Sequence, residues 1–213
     1  MIKRILLIPF LALTLIIGLT PNVFAAIDGS AHDFGAETWS GNQICKPCHT
    51  PHNASTTVPA APLWNHTITA ATFTLYVDGG TLDATDLTQP TGVSKLCLSC
   101  HDGTVAVDAM TGVASPSEFI SGPALIGTDL SKSHPISFTY NTALATTDGE
   151  LFNPSTALSG VGTGTIAQDM LFGASNNKLE CASCHDVHNS YGVQKLLVKS
   201  NASSALCLTC HDK

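Results

Sequence analysis

Apolar residues form one long run near the start of the chain, from Ile5 to Leu19, and no comparable run follows. Between residues 102 and 180 the sequence shows neither a sustained 3.6-residue period nor a strict alternation of apolar and polar positions. Short strand-like stretches occur at 72–77, 105–107 and 136–140. Short helices are predicted at 94–101, with Gly103 as a C-terminal stop, and at 203–211. The predicted fold class is therefore mostly irregular coil with short α-helices and a few short β-strands.

The first apolar run has the features of a secretory signal peptide. Lys3 and Arg4 precede it, and the small residues Val23 and Ala25 suit a signal peptidase. A bilayer-spanning helix needs about 20 apolar residues, so this run is short for an anchor. We interpret residues 1–25 as a cleaved Sec signal peptide, with an uncleaved anchor as the alternative. The mature chain, 26–213, is then exported without a membrane span, to the cell surface or beyond it, or alternatively to the periplasm.

The composition of the chain offers few residues that could form a conventional hydrophobic core. Only 12% of the 213 residues are charged and 6% are aromatic, while 17 glycines and 11 prolines are spread along the chain. The net charge of -7 disfavours nucleic acid as a partner. Something other than side-chain packing is expected to hold the chain together.

The eight cysteines all fall in Cys-x-x-Cys-His motifs, and none is left over. Cysteines three residues apart on a helical turn project to the same side, where they can form thioethers with a haem, and the adjacent histidine can bind the iron. Four covalently bound c-type haems are therefore predicted. The thioether cysteines are Cys45, Cys48, Cys97, Cys100, Cys181, Cys184, Cys207 and Cys210, and the proximal histidines are His49, His101, His185 and His211.

Zinc sites and disulfides are the alternatives for the same cysteines. Zinc sites made of two Cys-x-x-Cys pairs could use all eight, but they do not need a histidine at the same place four times. Export permits disulfides, yet disulfide chemistry does not require that histidine either. Thioredoxin-like motifs need a βαβ context, and no alternation of strands and helices surrounds these pairs.

Nine histidines are available for the eight axial positions of four irons. Bis-His ligation of every haem is therefore possible, which gives low-potential centres suited to electron transfer rather than to catalysis. His52 and His188 each follow a proximal histidine by three residues, a link too short to reach the opposite face of the same haem, so each is expected to ligate a neighbouring haem. His134 precedes a proline that fixes its extended backbone, and His32 lies on an N-terminal arm. His66 follows an apolar pair and is expected to be the spare histidine or a distal ligand.

The motifs are also duplicated in the order A-B-A-B. Cys45 to Asn53 parallels Cys181 to Asn189, and Leu96 to Asp102 parallels Leu206 to Asp212. The predicted organisation is a single tetrahaem domain with a two-haem unit at 45–101, a loop-rich insertion at 102–180 and a second two-haem unit at 181–211. Duplication of a two-haem unit suggests a linear haem array.

These motifs, with the His-Asp pair at His32, the Pro-Leu-Trp-Asn segment ending at Asn65 and the Ser-His-Pro segment at His134, resemble the doubled-CXXCH multihaem cytochromes. In particular the chain resembles the OmcE-type tetrahaem subunits of extracellular cytochrome filaments. The resemblance implies a homopolymer whose haems stack within and between subunits, with one axial histidine donated across the boundary. His32 is the best candidate for that donor, and His52 and His134 are the alternatives.

Three functional classes follow from the sequence. An electron-transfer filament is favoured, and a monomeric periplasmic carrier that docks on redox partner cytochromes through its acidic charge is the alternative. A multihaem reductase would need an iron with an open face, and nine histidines for eight positions give no sign of one. The chain is expected to be an electron-transfer protein and not an enzyme.

Overall fold

The computed structural model describes residues 27–59, 61–76 and 82–213, so the predicted signal peptide lies outside the described residues. No helix within these ranges is long and apolar enough to cross a bilayer. Three α-helices and two strands occur there, namely α1 (Gly92–His101), β1 (Phe138–Thr139), α2 (Thr142–Asp148), α3 (Ile166–Met170) and β2 (Lys178–Leu179). Short 3₁₀ turns lie at Thr38–Ser40, Gly122–Ala124, Cys181–Ser183, Gln194–Leu196, Ala202–Ser204 and Cys207–Thr209. The predicted fold class is confirmed.

The helix predicted at 94–101 is present as α1, which begins two residues earlier, at Gly92. Gly103 has a φ of +75° and donates its N–H to the carbonyl of Cys100, as expected for the end of a helix. The helix predicted at 203–211 forms only two separate 3₁₀ turns. The reason lies in the backbone, because Ser203 and Ser204 have φ values of +52° and +61° and a right-handed helix cannot pass through them.

Of the three strand-like stretches, only 136–140 contains a strand. β1 pairs with β2 antiparallel, with Phe138 opposite Leu179 and Thr139 opposite Lys178. The described part of 72–77 forms a single parallel bridge between Thr74 and Asp129, and 105–107 forms no strand. Side-chain bonds to other loops hold these segments instead: the amide of Gln89, for example, bonds to both the N–H and the carbonyl of Phe73, at 2.7 and 2.9 Å.

The apolar core is divided into two clusters of unequal size. The larger one joins β1, β2, α2, α3 and the C-terminal segment, and consists of Phe138, Tyr140, Ala145, Ile166, Met170, Leu171, Leu179, Val198 and Leu206. The smaller one consists of Phe73, Leu98 and Leu130. Cys184 and Cys210 pack against the larger cluster, and Leu98 belongs to α1. Three of the four Cys-x-x-Cys-His motifs are thus attached to a core cluster.

Candidate haem sites

Each of the four Cys-x-x-Cys-His motifs folds into one tight turn. In the first, third and fourth motifs the histidine N–H donates to the carbonyl of the first cysteine, over 2.8, 3.1 and 3.1 Å. The second motif is the last turn and a half of α1. Residues three and four apart face the same side of such a turn. All four motifs therefore present two thiols and an imidazole together, as predicted from their spacing.

A second stretch of chain crosses three of these turns in the same way. One of its residues forms an antiparallel bridge with the proximal histidine, and the next residue donates its N–H to the carbonyl of the second cysteine. These two bonds fix the direction of the histidine backbone. The bridges join His49 to Trp64, His185 to Leu197 and His211 to Leu151, and the N–H donors to Cys48, Cys184 and Cys210 are Asn65, Val198 and Phe152.

The backbone carbonyls of distant segments orient three of the four proximal imidazoles. In each case Nδ1–H donates to a carbonyl 2.8 to 3.0 Å away, which leaves Nε2 free to bind a metal. The acceptors lie 10 to 23 residues further along the chain. The donor and acceptor pairs are His49 with Pro62, His101 with Ala124, and His185 with Lys195.

Three of the proximal histidines face a second histidine. The ring centres of His49 and His188 are 6.3 Å apart, with planes inclined by only 13°. Those of His32 and His101 are 5.9 Å apart, and those of His134 and His211 are 6.4 Å apart. The structure thus brings together three pairs, each made of one proximal and one predicted distal histidine.

The spacing of these pairs fits an iron atom between the rings. A ligating histidine nitrogen lies about 2 Å from its metal, and the ring centre about 1 Å further, so two histidines on opposite faces of one iron have centres roughly 6 Å apart. All three observed separations are close to this value. The donor set, two thiols beside each pair, is that of a c-type haem.

His32 has the protonation state that a metal ligand needs. Burial, together with the nearby His101, His185 and His188, lowers its pKa to about 4, so the imidazole is neutral at pH 7. Its buried Nδ1 has no hydrogen-bond partner among the described residues. A buried nitrogen without a partner is unfavourable unless another group satisfies it, which fits a role in ligation.

His66 has a different environment from the other eight histidines. It is buried, and both of its ring nitrogens contact backbone carbonyls: Nδ1 is 2.7 Å from Thr67 O and Nε2 is 2.9 Å from Ala106 O. Its Nε2 also lies 3.5 Å from the Cys100 sulfur. Because both nitrogens are already engaged, the structure gives His66 the contacts of a packing residue rather than those of an iron ligand.

His52 and His185 remain after the three pairs are assigned. His52 is exposed, and neither ring contacts another histidine ring within the described ranges. Elimination nevertheless makes His52 the candidate partner of His185. This assignment would complete a reciprocal exchange, since His188, three residues after His185, already faces His49.

Six of the eight cysteines are partly buried, and Cys45 and Cys207 are exposed. Burial raises the pKa of Cys48 to about 11 and that of Cys100 and Cys210 to about 12, so these groups are thiols rather than thiolates at neutral pH. All eight cysteines are free. Across the described parts of the chain, no group of three or more His, Cys, Asp or Glu side chains converges on a point where a metal ion could be held.

The second and third motifs are in direct contact. The N–H of Cys181 donates to the hydroxyl of Ser94 on α1 at 2.9 Å. The nearby Cys181 thiol, together with burial, raises the pKa of Cys97. The two cysteines lie on α1 and on the 3₁₀ turn Cys181–Ser183. Haems attached at these positions would therefore be neighbours.

Comparison with protein families agrees with this arrangement over the C-terminal part of the chain. A family model described as the doubled CXXCH motif matches residues 174–213, which contain the third and fourth motifs. No protein of the curated set matches the chain. The doubled motif indicates covalently bound haem c and is consistent with a multihaem c-type cytochrome that transfers electrons.

Proposed function

We propose that this protein is a tetrahaem c-type cytochrome that passes electrons along closely spaced bis-His haems, as the subunit of an extracellular filament. The observation that carries the electron-transfer part is the set of three facing histidine pairs, each beside a Cys-x-x-Cys motif. The proposed axial pairs are His49–His188, His101–His32, His185–His52 and His211–His134.

Haem c, when bound, would supply a one-electron iron couple at each of these sites. The chain's own residues determine how the couple can be used. Two histidines held at one iron would exclude water and substrate from the metal, and the carbonyls of Pro62, Ala124 and Lys195 hold the proximal rings in place. The sites are therefore suited to electron exchange and not to binding a reactant.

Contacts between the motifs support a connected array. His188 is attached to the third motif but faces His49 of the first, and the N–H of Cys181 in the third motif donates to Ser94 of α1, the helix that contains the second motif. Cys207 of the fourth motif lies close enough to Cys184 of the third to raise the pKa of its thiol, an effect to which burial contributes most. The third motif is consequently the junction of the array.

The filament part of the proposal rests on the resemblance of the motifs to filament subunits. A filament needs electron transfer between copies, and we propose that one axial histidine crosses that boundary. His32, the best candidate from the sequence, faces His101 of its own chain. His52 is exposed and faces no ring in the described structure, so it is the more accessible donor to a neighbouring copy.

A monomeric carrier is the second candidate function. The observation in its favour is that three pairs are already complete within one chain. Such a carrier would act in the periplasm and exchange electrons with partner cytochromes, and the net charge of the chain would favour basic docking surfaces.

One sample of the mature, haem-loaded protein tests both candidates. Intact mass is expected to show four haems, electron paramagnetic resonance is expected to show only low-spin iron, and electron microscopy is expected to show thin uniform filaments. Monodisperse particles with the same spectra would favour the carrier. A high-spin fraction would contradict complete bis-His ligation and would indicate an open coordination site.

The variant His52→Ala sharpens this test, with His66→Ala as its matched control. Loss of His52 is expected to convert one haem to the high-spin form and, if the histidine is donated between copies, to abolish the filaments. Loss of His66 is expected to leave four low-spin haems. A high-spin signal in the His66 variant alone would reverse the two assignments.

A further inference from the structure

Glu180 is a buried carboxylate that lies between the second and third haem sites. It is 2% exposed and directly precedes Cys181. Its Oε2 accepts hydrogen bonds from the Ser94 N–H at 3.2 Å and from the Ser137 hydroxyl at 3.0 Å. Its own N–H donates to the Ser183 hydroxyl at 2.9 Å, so its backbone is fixed as well.

A second bond in the opposite direction makes this contact reciprocal. The Ser94 hydroxyl, which is fully buried, accepts the N–H of Cys181 at 2.9 Å. Ser94 therefore joins the first turn of α1 to both Glu180 and Cys181. These bonds tie together two segments that are 86 and 87 residues apart in the sequence.

Gly92 makes room for the carboxylate at the start of α1. Its φ is +50°, and a Cβ added there would lie only 2.8 Å from Glu180 Oε1. The left-handed backbone favours glycine, and the missing side chain leaves room for the carboxylate. The start of the helix thus accommodates Glu180.

The position of Glu180 gives it access to both haem sites. Cys97 follows Ser94, the donor to Glu180, by three residues on α1, and Glu180 directly precedes Cys181, so the carboxylate is close to both first cysteines. Its negative charge acts on both thiols in the direction that disfavours their ionisation. The same charge would disfavour adding an electron to either of the two haems.

We propose that Glu180 positions the second and third haems against each other and lowers the reduction potential of both. Burial makes its charge effective, because a buried charge is screened much less than one at the surface. Net charge and burial near a haem are established means by which a protein sets its potential. This inference rests on the proposed haem attachment at Cys97 and Cys181.

A carboxylate shared by two sites has a property that two separate carboxylates would lack. It shifts both potentials in the same direction, so it adds little to the difference between them. The driving force for electron exchange between the second and third haems is then left largely unchanged by this charge. The reduction potentials of the second and third haems can thus be shifted together relative to those of the first and fourth haems.

Replacement of Glu180 by glutamine tests the charge, because the side chain keeps its size and a carbonyl acceptor for Ser94 and Ser137. Spectroelectrochemical titration of the four-haem protein is expected to show two of the four potentials raised. A tenfold change in the one-electron equilibrium constant, the size of shift we expect, corresponds to about 59 mV. The conservative variant Glu180→Asp keeps the charge and is expected to restore both potentials toward the wild-type values.

Two further variants separate tuning from positioning. Ser94→Ala removes the bond to Cys181 but keeps the carboxylate, so it is expected to weaken the exciton signal of the coupled haems in visible circular dichroism. Asp169→Asn is the matched control, since its carboxylate accepts hydrogen bonds from Ser159 and from the loop at Gly162 and Gly164 rather than from α1 or the third motif. It is expected to leave all four potentials unchanged.

The possible failures can be distinguished. Four haems with unchanged potentials in Glu180→Gln would overturn the tuning role, and an unchanged exciton signal in Ser94→Ala would overturn the positioning role. Should Glu180→Gln not fold, Glu180→Asp decides the tuning role, because potentials that move far from wild type with the charge retained would contradict it. A wild-type protein with no covalent haem would instead refute the proposed function.

Discussion

At the scale of single residues, the surroundings of the ring nitrogens separate ligands from packing residues. His49, His101 and His185 each use Nδ1 to donate to a carbonyl and keep Nε2 free, whereas both nitrogens of His66 face carbonyls. A histidine can bind a metal through one nitrogen while the other donates a hydrogen bond. The sequence does not reveal this difference, because Ala106, whose carbonyl engages the Nε2 of His66, lies 40 residues away.

His188→Met tests the pairing across motifs. Because the ring of His188 faces His49, the change is expected to alter the haem attached at Cys45 and Cys48, not the one attached at Cys181 and Cys184. Methionine ligation raises a haem potential relative to bis-His ligation. One potential of the four should rise, and nuclear magnetic resonance of the haem methyl groups identifies the haem concerned. A change confined to the haem at Cys181 would show that His188 serves its own motif.

His66→Gln tests the packing role. Glutamine keeps a donor but cannot reproduce both carbonyl contacts, so a loss of about 1 to 3 kcal/mol in the free energy of unfolding is expected from the buried polar groups left unpaired. Chemical denaturation measures this loss, and the visible spectrum checks that the four haems stay low-spin. A stable variant with one high-spin haem would instead identify His66 as a ligand.

At the scale of secondary-structure elements, the duplication in the sequence is repeated in the backbone. Asn53 and Asn189 occupy equivalent positions, one residue after His52 and His188, and have φ values of +55° and +54°. Asparagine tolerates this left-handed conformation better than most residues. In both two-haem units, an asparagine directly after the second histidine changes the direction of the chain.

Asn53→Val is expected to cost about 1 to 2 kcal/mol in the free energy of unfolding, because a β-branched residue is strained at positive φ. The substitution would also displace His52, so one haem should partly lose its low-spin signal. Asn53→Gly is the control and should behave like the wild type, since glycine adopts this backbone freely. Equal stability of the valine and glycine variants would mean that the turn imposes no strain.

The carboxylate of Asp86 links the sheet formed by β1 and β2 to the loop that precedes α1. Although partial burial disfavours its ionisation, hydrogen bonds from Lys178 and from the hydroxyl and N–H of Thr139 lower its pKa to about 2. A carboxyl whose pKa falls on folding stabilises the protein above its unfolded value of 3.8, and this contribution is lost as the pH falls toward 2.

Asp86→Asn should therefore lower the free energy of unfolding at pH 7 and reduce its pH dependence between 4 and 2. Denaturation curves at several pH values, compared with wild type, measure both effects. The pair of Asp86 and Lys178 is partly exposed, so the loss at pH 7 should be small, on the order of 1 kcal/mol. An undiminished slope between pH 4 and 2 would assign the linkage to other carboxyl groups.

The sequence predicted the elements that depend on local spacing and missed those that depend on distant partners. The turns of the four motifs and α1 follow from residues three and four positions apart. The helix predicted at 203–211 does not form, because Ser203 and Ser204 adopt left-handed φ values that no sequence rule assigns to serine. No sequence pattern pointed to Glu180, because its carboxylate accepts hydrogen bonds from Ser94 and Ser137, which lie 86 and 43 residues away in the sequence.

At the scale of the whole molecule, the proposed haem sites add connections to those made by the apolar core. The larger core cluster lies around β1, β2 and α3, the smaller one consists of Phe73, Leu98 and Leu130, and Ile136 packs against both. The facing rings of His49 and His188 and the bond from Cys181 to Ser94 of α1 join the N-terminal and C-terminal motifs directly. Metal ligation at such junctions contributes to folding free energy.

A chain made without haem is therefore expected to lose its cooperative fold. Each facing pair would consist of two imidazoles with no metal between them, and the partly buried thiols of Cys48, Cys100 and Cys210 would carry no haem. Residues 26–213, produced where haem is not attached, should give a broad thermal transition in circular dichroism and bind a hydrophobic dye.

The double variant Cys207→Ala, Cys210→Ala is the matched control for haem removal. It deletes only the fourth attachment site, whose Cys210 packs against the larger cluster and whose histidine pair is His134 and His211. Three haems should remain, and the transition should stay cooperative at a lower midpoint. His188 of the third motif faces His49 of the first. Deleting the attachment site at Cys45 and Cys48 should therefore lower the midpoint of the transition more than deleting the fourth site. A sharp transition in the haem-free chain would show that the two core clusters alone specify the fold.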